Sequence, residues 1–361
     1  MANSRPSGLP TRCGATVALA VVAMSCTICT WYVETRASRF KDDKFNFSDA
    51  LYYKHVCDRV RNGEGYYESA RIELPAHGFN TDSVLNWRTP LYAHACALLM
   101  DTTWCQSLSM PLSFCFICLA FEVARRETGV YSAAFAALIC LGSTLWWIDP
   151  EPALYTEYWA GLLIALSVTC KYYNIQSGLL LLATAALFLR ELCLPFFCIS
   201  LFFTWRESSR VRKAAWIAAA VLYAMYYLAH YSSVERKQLE IGGGHGMDVS
   251  SWVQFGGLGF VLETARMNYL AALLPLWCTA LYLPLGLFGL AALGLGVGGM
   301  RISLATPALY VLLFSVIGRA YNSYWGWLIA PILAFGFSLS PYYLWKYLNV
   351  ALTNTTEGDR N

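Results

Sequence analysis

Long apolar runs, repeated along the chain, constrain this sequence more than any other feature. The first is residues 14–33, GATVALAVVAMSCTICTWYV. A helix needs about 20 mainly apolar residues to cross a bilayer, and in lipid only helices and closed barrels satisfy their own backbone groups. Further runs fall near 102–124, 130–148, 157–170, 177–189, 191–205, 214–231, 270–298, 303–318 and 324–345. Together they predict an all-α polytopic membrane protein of about ten spans. Hydrophobic residues make up 57% of the 361 and charged residues 14%, against roughly 25% charge in a soluble domain. That balance excludes an ordinary soluble enzyme, a disordered chain and a secreted disulfide scaffold. A net charge of +3 gives no reason to expect a nucleic-acid partner. Most of the thirteen cysteines, Cys26 and Cys29 among them, lie in apolar runs and read as small hydrophobes rather than disulfide partners or metal ligands.

Basic residues set the expected sidedness. Arg5 and Arg12 precede the first run, and Arg125, Arg126, Lys171, Arg206, Arg210, Arg212, Lys213, Arg301 and Lys346 fall on alternate connections. The positive-inside rule puts these on the cytoplasmic face of an inner or plasma membrane, with both termini cytoplasmic. The 177–205 region reads as a broken hairpin or one long helix, and 90–100 as an interfacial or re-entrant piece interrupted at Asp101. The chain reads as a single membrane domain, 1–361, with no soluble domain after the last span. Two long external segments are expected, 34–89 and 232–266. In the first, FSDALYYKHVCDRVRNG carries apolar residues at Leu51, Tyr52, Val56 and Val60. That spacing predicts an interfacial helix with Ser48 or Asp49 at its start. In the second, GGGHG and QFGGLG predict a flexible loop; GGGHG lacks the lysine and hydroxyl residue of a P-loop.

The chemistry-bearing residues begin with Asp49, about sixteen residues past the first span in the order D-A-L-Y-Y. After it come G-E-G-Y-Y at 63–67 and R-T-P-L at 88–91. This order, with about ten spans around it, resembles the GT-C superfamily of integral-membrane glycosyltransferases, most clearly over residues 14–205. The resemblance implies a donor in which a sugar is linked to a polyprenyl phosphate, an acceptor of unspecified kind on the external face, membrane lipids as surroundings, and no dissociable cofactor. It implies that Asp49 faces a cavity at the membrane surface and activates the acceptor. Sugar transfer from a lipid phosphate to a hydroxyl needs a proton acceptor at the nucleophile and cations at the departing phosphate. Arg88, Arg190 and Arg319 are the candidates for the second task, since a guanidinium holds phosphate bidentately. Glu157, in the second external loop with Asp149 and Glu151, is a candidate to position the acceptor. Tyr53 is counted with the substrate-binding residues, although Tyr52, Tyr53, Tyr66 and Tyr67 all suit packing or an aromatic belt.

Each candidate has a plainer structural reading. Asp49 suits an N-cap, Arg88 a snorkelling anchor and Glu157 an ordinary helix N-terminus. Arg190 and Glu191 suit an ion pair in a turn, and Arg319 an anchor in a belt with Trp325 and Trp327. The resemblance selects the functional readings of Asp49, Arg88 and Arg319. No metal site is expected. The first loop has no D-x-D triplet, Asp42-Asp43 is flanked by lysines, and His77, His230 and His245 have no ligand-spaced partner in sequence. His55 lies six residues past Asp49, on a different face. The rival class is a multi-pass transporter or lipid flippase, whose marks are inverted repeats and paired broken helices. A non-catalytic scaffold is the third class.

Overall fold

The computed structural model describes residues 10–36, 48–99, 102–149, 151–240, 255–318 and 320–353, and every regular element among them is helical. The first helix, α1 (Arg12–Thr35), is followed by α2 (Ser48–Arg61), α3 (Tyr66–Ala76) and α4 (Pro90–Leu99). Then come α5 (Thr102–Thr128), α6 (Val130–Thr144), α7 (Thr156–Tyr172) and α8 (Gln176–Leu189). The chain continues through α9 (Leu194–Trp205), α10 (Arg210–Glu240), α11 (Gly257–Ala265) and α12 (Tyr269–Ala272). It ends with α13 (Leu276–Gly296), α14 (Arg301–Val316), a 3-10 segment Ala320–Leu328 kinked at Asn322, and α15 (Ala330–Thr353).

By length and composition, four described helices can cross a membrane: Arg12–Thr35, Ser107–Thr128, Val130–Ile148 and Trp277–Gly296. A fifth is added if Asn322–Leu328 and Ala330–Leu352, bent by 64° at their junction, count as one span. Gln176–Leu189, Glu191–Trp205 and Arg301–Val316 are apolar but shorter. The apolar runs therefore become helices as expected, though several fall below the roughly 20 residues of a full crossing. The 177–205 region is two helices. The break comes at Arg190–Cys193, where Arg190 takes an extended conformation and Pro195 stands in the first turn of α9, a position that tolerates proline because its N–H would be unpaired anyway.

Close backbone approaches at glycines help fix the bundle, two of them between long helices and their neighbours. A Cβ on Gly289 of α13 would lie 1.9 Å from the Gly336 carbonyl oxygen of α15, and one on Gly161 of α7 would lie 2.0 Å from that of Trp327. Only a residue without a side chain lets these backbones meet, as at small-residue helix crossings in membranes. The second approach seats the 320–328 segment on the N-terminal half of α7. Trp325 and Trp327 are buried there, Trp327 against Trp146, Tyr155 and Tyr158. They are core residues, not members of an exposed interface belt.

The first external segment packs as α2, α3 and α4. Asp49 opens α2 and Arg59 and Arg61 close it, matching the helix dipole at both ends. Its buried face is Tyr52, Tyr53, Val56 and Cys57; of the expected apolar set Tyr52 and Val56 face inward, Val60 is half-buried and Leu51 is exposed. The second segment differs from expectation. Residues 232–240 continue α10 as helix and 257–265 form α11, while GGGHG at 242–246 lies outside the described residues. The helix persists because its C-terminal end has partners on the first loop. Tyr67 Oη lies 3.2 Å from His230 Nδ1, Lys237 Nζ 3.2 Å from Glu68, and Gln238 donates to the Thr81 carbonyl at 2.6 Å.

Candidate functional site

The fold brings Asp49, Tyr53, Arg88, Glu157 and Arg190 into one cluster, although they come from four separate stretches of chain. Asp49 sits half-buried in the first turn of α2, where its Oδ2 accepts a 2.8 Å hydrogen bond from Tyr324 Oη. Tyr53, one turn further on, accepts from Arg88 Nε at 3.1 Å. Arg88 Nη1 donates to the Leu85 carbonyl at 2.6 Å and lies 3.9 Å from Glu191. Arg190 Nε lies 2.9 Å from Glu157 Oε1, and Arg190 Nη1 donates to Glu191. Asp49, Arg88, Glu157 and Arg190 all act electrostatically on Tyr53. The aromatic floor runs from Tyr53 to Tyr155 to Tyr324, with ring centroids 5.6 and 4.8 Å apart.

Local backbone holds Arg88 in place. Its φ is +52°, the left-handed region that few residues other than glycine, asparagine and aspartate occupy. The Tyr66 hydroxyl braces this turn by donating to the carbonyls of Trp87 and Arg88, the latter at 2.9 Å. Backbone strain of this kind costs on the order of 1–3 kcal/mol and persists only where the surroundings impose it. The return is orientation. Thr89 and Pro90 can start α4 while the guanidinium turns inward, only 13% exposed.

The two acidic residues differ in character. Glu157 is wholly buried, as is Arg190 at 1% exposure. The 2.9 Å approach of Arg190 Nε is an ion pair without hydrogen-bond alignment, and Arg190 Nη2 has no hydrogen-bond partner among the described residues. Glu157 thus faces Arg190, the geometry of a group holding a cation. Asp149 is exposed and accepts from the Glu151 backbone N–H at 3.1 Å, a local turn contact. Burial pushes the Tyr53 phenol up to about 12, against the opposing influence of Arg88. Arg319 lies outside the described residues.

Sequence reading did not single out Tyr324 or Tyr66 for the site. Glu191 was legible, as a charge in an apolar run. Tyr324 is 275 positions from Asp49, and no local pattern announces such a contact. Two cavities lie elsewhere. An apolar one of about 480 Å³ opens between α1 and α13, beside Val21, Cys29, Leu283 and Phe288. A second of about 700 Å³ is lined by Lys171, Trp205, Arg206, Glu207 and Arg301. Comparison with family models, with curated proteins and with solved structures gives no match for this chain.

Proposed function

We propose that the protein is a membrane glycosyltransferase of GT-C type that moves a sugar from a polyprenyl-phosphate donor to a hydroxyl acceptor at the external membrane face. The observation that carries this reading is the convergence of Asp49 with Arg88 and Arg190 around Tyr53 and Tyr324. A carboxylate for the acceptor and two guanidiniums for the donor phosphate are what the displacement requires. The acceptor oxygen attacks the anomeric carbon as the bond from that carbon to the phosphate oxygen breaks. The acceptor proton passes to the Asp49 carboxylate, and the polyprenyl phosphate leaves with its negative charge facing the arginines. One displacement inverts the anomeric configuration.

In this scheme Tyr324 orients Asp49, while Glu157 and Glu191 are positioning residues for Arg190 and Arg88. Arg190 Nη2 has no hydrogen-bond partner among the described residues, and in this scheme a phosphate oxygen takes that place when the donor opens the buried site. About ten spans belong to the proposal. They require the shorter helices α8, α9 and α14, and α7 and α10 with them, to lie within the membrane, with both termini cytoplasmic. The test is transfer by purified protein from a panel of polyprenyl-phosphate sugars to simple hydroxyl acceptors. Labelled product from at least one donor is expected, with none formed by Asp49→Asn. A correctly folded wild type that transfers from no donor refutes the proposal.

A transporter is the second reading, favoured by one observation. The 64° break between Asn322–Leu328 and Ala330–Leu352 lies beside Tyr324, and broken helices mark substrate sites in carriers. Among the described residues it is the one bent pair of this kind, whereas the inverted-repeat design needs two. Donor-dependent flux across proteoliposomes without product formation would select this reading.

A further inference from the structure

A second constellation lies on the same helix as Asp49, apart from the cluster described above. His55 Nδ1 on α2 is 3.1 Å from His77 Nε2, and each lies 3.4 Å from Glu73 Oε2. In the tautomers that leave both of these ring nitrogens unprotonated, the three atoms offer lone pairs within 4.8 Å of one another. Four ligands around zinc at about 2.05 Å form a tetrahedron with edges of about 3.35 Å, so the observed triangle has the size of one tetrahedral face. Glu73 and His77 stand four residues apart at the end of α3 and share a side. His77 is fixed just past the helix, where Gly78 turns the chain with φ +74° and the Phe79 N–H bonds back to the Leu74 carbonyl at 2.8 Å. His55 reaches the site from the neighbouring α2. Sequence reading gave His77 no partner because the two imidazoles meet across a 22-residue gap.

The surroundings suit a cation. Glu73 Oε1 accepts from Arg59 Nε at 2.5 Å, which orients the carboxylate and leaves Oε2 free for the ion. Such an outer contact is the usual support of a metal-binding carboxylate. Arg59 is itself paired with Glu64 at 3.0 Å, so one arginine faces two carboxylates and the local sum before metal is −1. The Glu73 carboxylate and His77 are largely enclosed, at 9% and 15% exposure, while His55 is 44% exposed. One side of the triangle is therefore open for entry and for a fourth ligand such as water.

We propose that His55, Glu73 and His77 bind one zinc-class divalent ion that pins α2 to the C-terminal end of α3. Two imidazoles and one carboxylate favour zinc and its transition-metal neighbours over magnesium or calcium, which prefer all-oxygen sets. The ion tethers the helix that presents Asp49 and Tyr53, and the site does not depend on the glycosyltransferase reading.

The experiment uses full-length protein in detergent, stripped with chelator and titrated with ZnCl2 by calorimetry, with metal content measured after desalting. One zinc per chain is expected. Replacing even an outer partner of a metal ligand weakens affinity about 10- to 100-fold, so His55→Ala, His77→Ala and Glu73→Gln should each lose at least that much. The exposed His94→Ala should retain full stoichiometry. Substituted Co2+ should give the intense visible absorption of a tetrahedral site, absent in His55→Ala. His55 is half-exposed, so that variant tests the site without emptying a core position. Less than half an equivalent of zinc on the wild type, or unchanged affinity in His55→Ala and His77→Ala, overturns the proposal.

Discussion

Glu157 and Asp49 are both carboxylates of the cluster, yet the structure gives their removal opposite consequences for stability. Glu157 is fully buried and lies 2.9 Å from the equally buried Arg190. Deleting one partner of a buried pair leaves a desolvated charge and costs about 3–5 kcal/mol. Glu191 remains beside Arg190 but is shared with Arg88, so Glu157→Gln should cost about 3 kcal/mol, the low end of that range. Asp49 is half-buried, and an asparagine oxygen still accepts from Tyr324. At such a site Asp49→Asn should change stability by under about 1 kcal/mol. In a chain of this length each kcal/mol shifts Tm by roughly 2 °C, so the two variants should differ by about 5 °C. The buried free thiols of Cys140 and Cys193 report unfolding to a thiol-reactive dye during a thermal ramp in detergent. Adding Arg190→Met to Glu157→Gln should recover part of the loss, because the uncompensated Arg190 charge is removed while Glu191 keeps Arg88 at 3.9 Å. If Asp49→Asn melts as low as Glu157→Gln, Asp49 is part of the frame and its assignment as a base fails. If Glu157→Gln melts like the wild type, the buried pair does not carry the energy assigned to it.

Three more outcomes follow from particular contacts. Tyr66→Phe removes the brace on Arg88 and frees two carbonyls, so it should cost about 1–3 kcal/mol and weaken donor binding, read by thermal shift and by donor titration. Gly289→Val drives a side chain into the Gly336 carbonyl. It should separate α13 from α15 and abolish a monodisperse peak in size-exclusion chromatography, whereas Gly296→Ala, with open space around its Cβ, should not. Hydrogen bonds from Arg71 and Lys237 hold the Glu68 carboxyl down to about 2. A depressed carboxylate stabilises above its unfolded pKa, here about 4.5, and that contribution fades as pH falls towards 2. Amide protection at the C-terminal end of α10, referred to the intrinsic exchange rate at each pH, should therefore fall between pH 4.5 and 2, and should stay level over that range in Glu68→Gln.

Much of the fold was legible because its signals are local. The 14–33 run became α1, the spacing of Leu51, Tyr52, Val56 and Val60 gave α2 although Leu51 turns outward, and the Arg190-Glu191 pair in an apolar run marked a real break. The helical 232–240 stretch was not legible, since it is polar and its stability comes from Glu68, Tyr67 and Thr81, distant in sequence. The site was half legible. Asp49, Arg88 and Arg190 stand out because charge is costly beside apolar runs. Glu157 was seen as a candidate but not as the counter-ion of Arg190, because that depends on how the turn before α9 faces the first turn of α7. Tyr324 and the His55–His77 pair arise only when separate helices pack, which single-sequence periodicity does not encode.

The central claim is that the Asp49 cluster handles a lipid-phosphate sugar, with acceptor chemistry and phosphate grip on different residues. Single-turnover transfer and donor affinity, measured on the same detergent preparations, separate the two roles. Asp49→Asn should bind donor like the wild type while its transfer rate drops at least 10²-fold, the lower bound for losing a general base, and Arg88→Ala should bind donor at least tenfold more weakly. Wild-type transfer by Asp49→Asn, together with unaltered donor affinity in Arg88→Ala, would contradict the account.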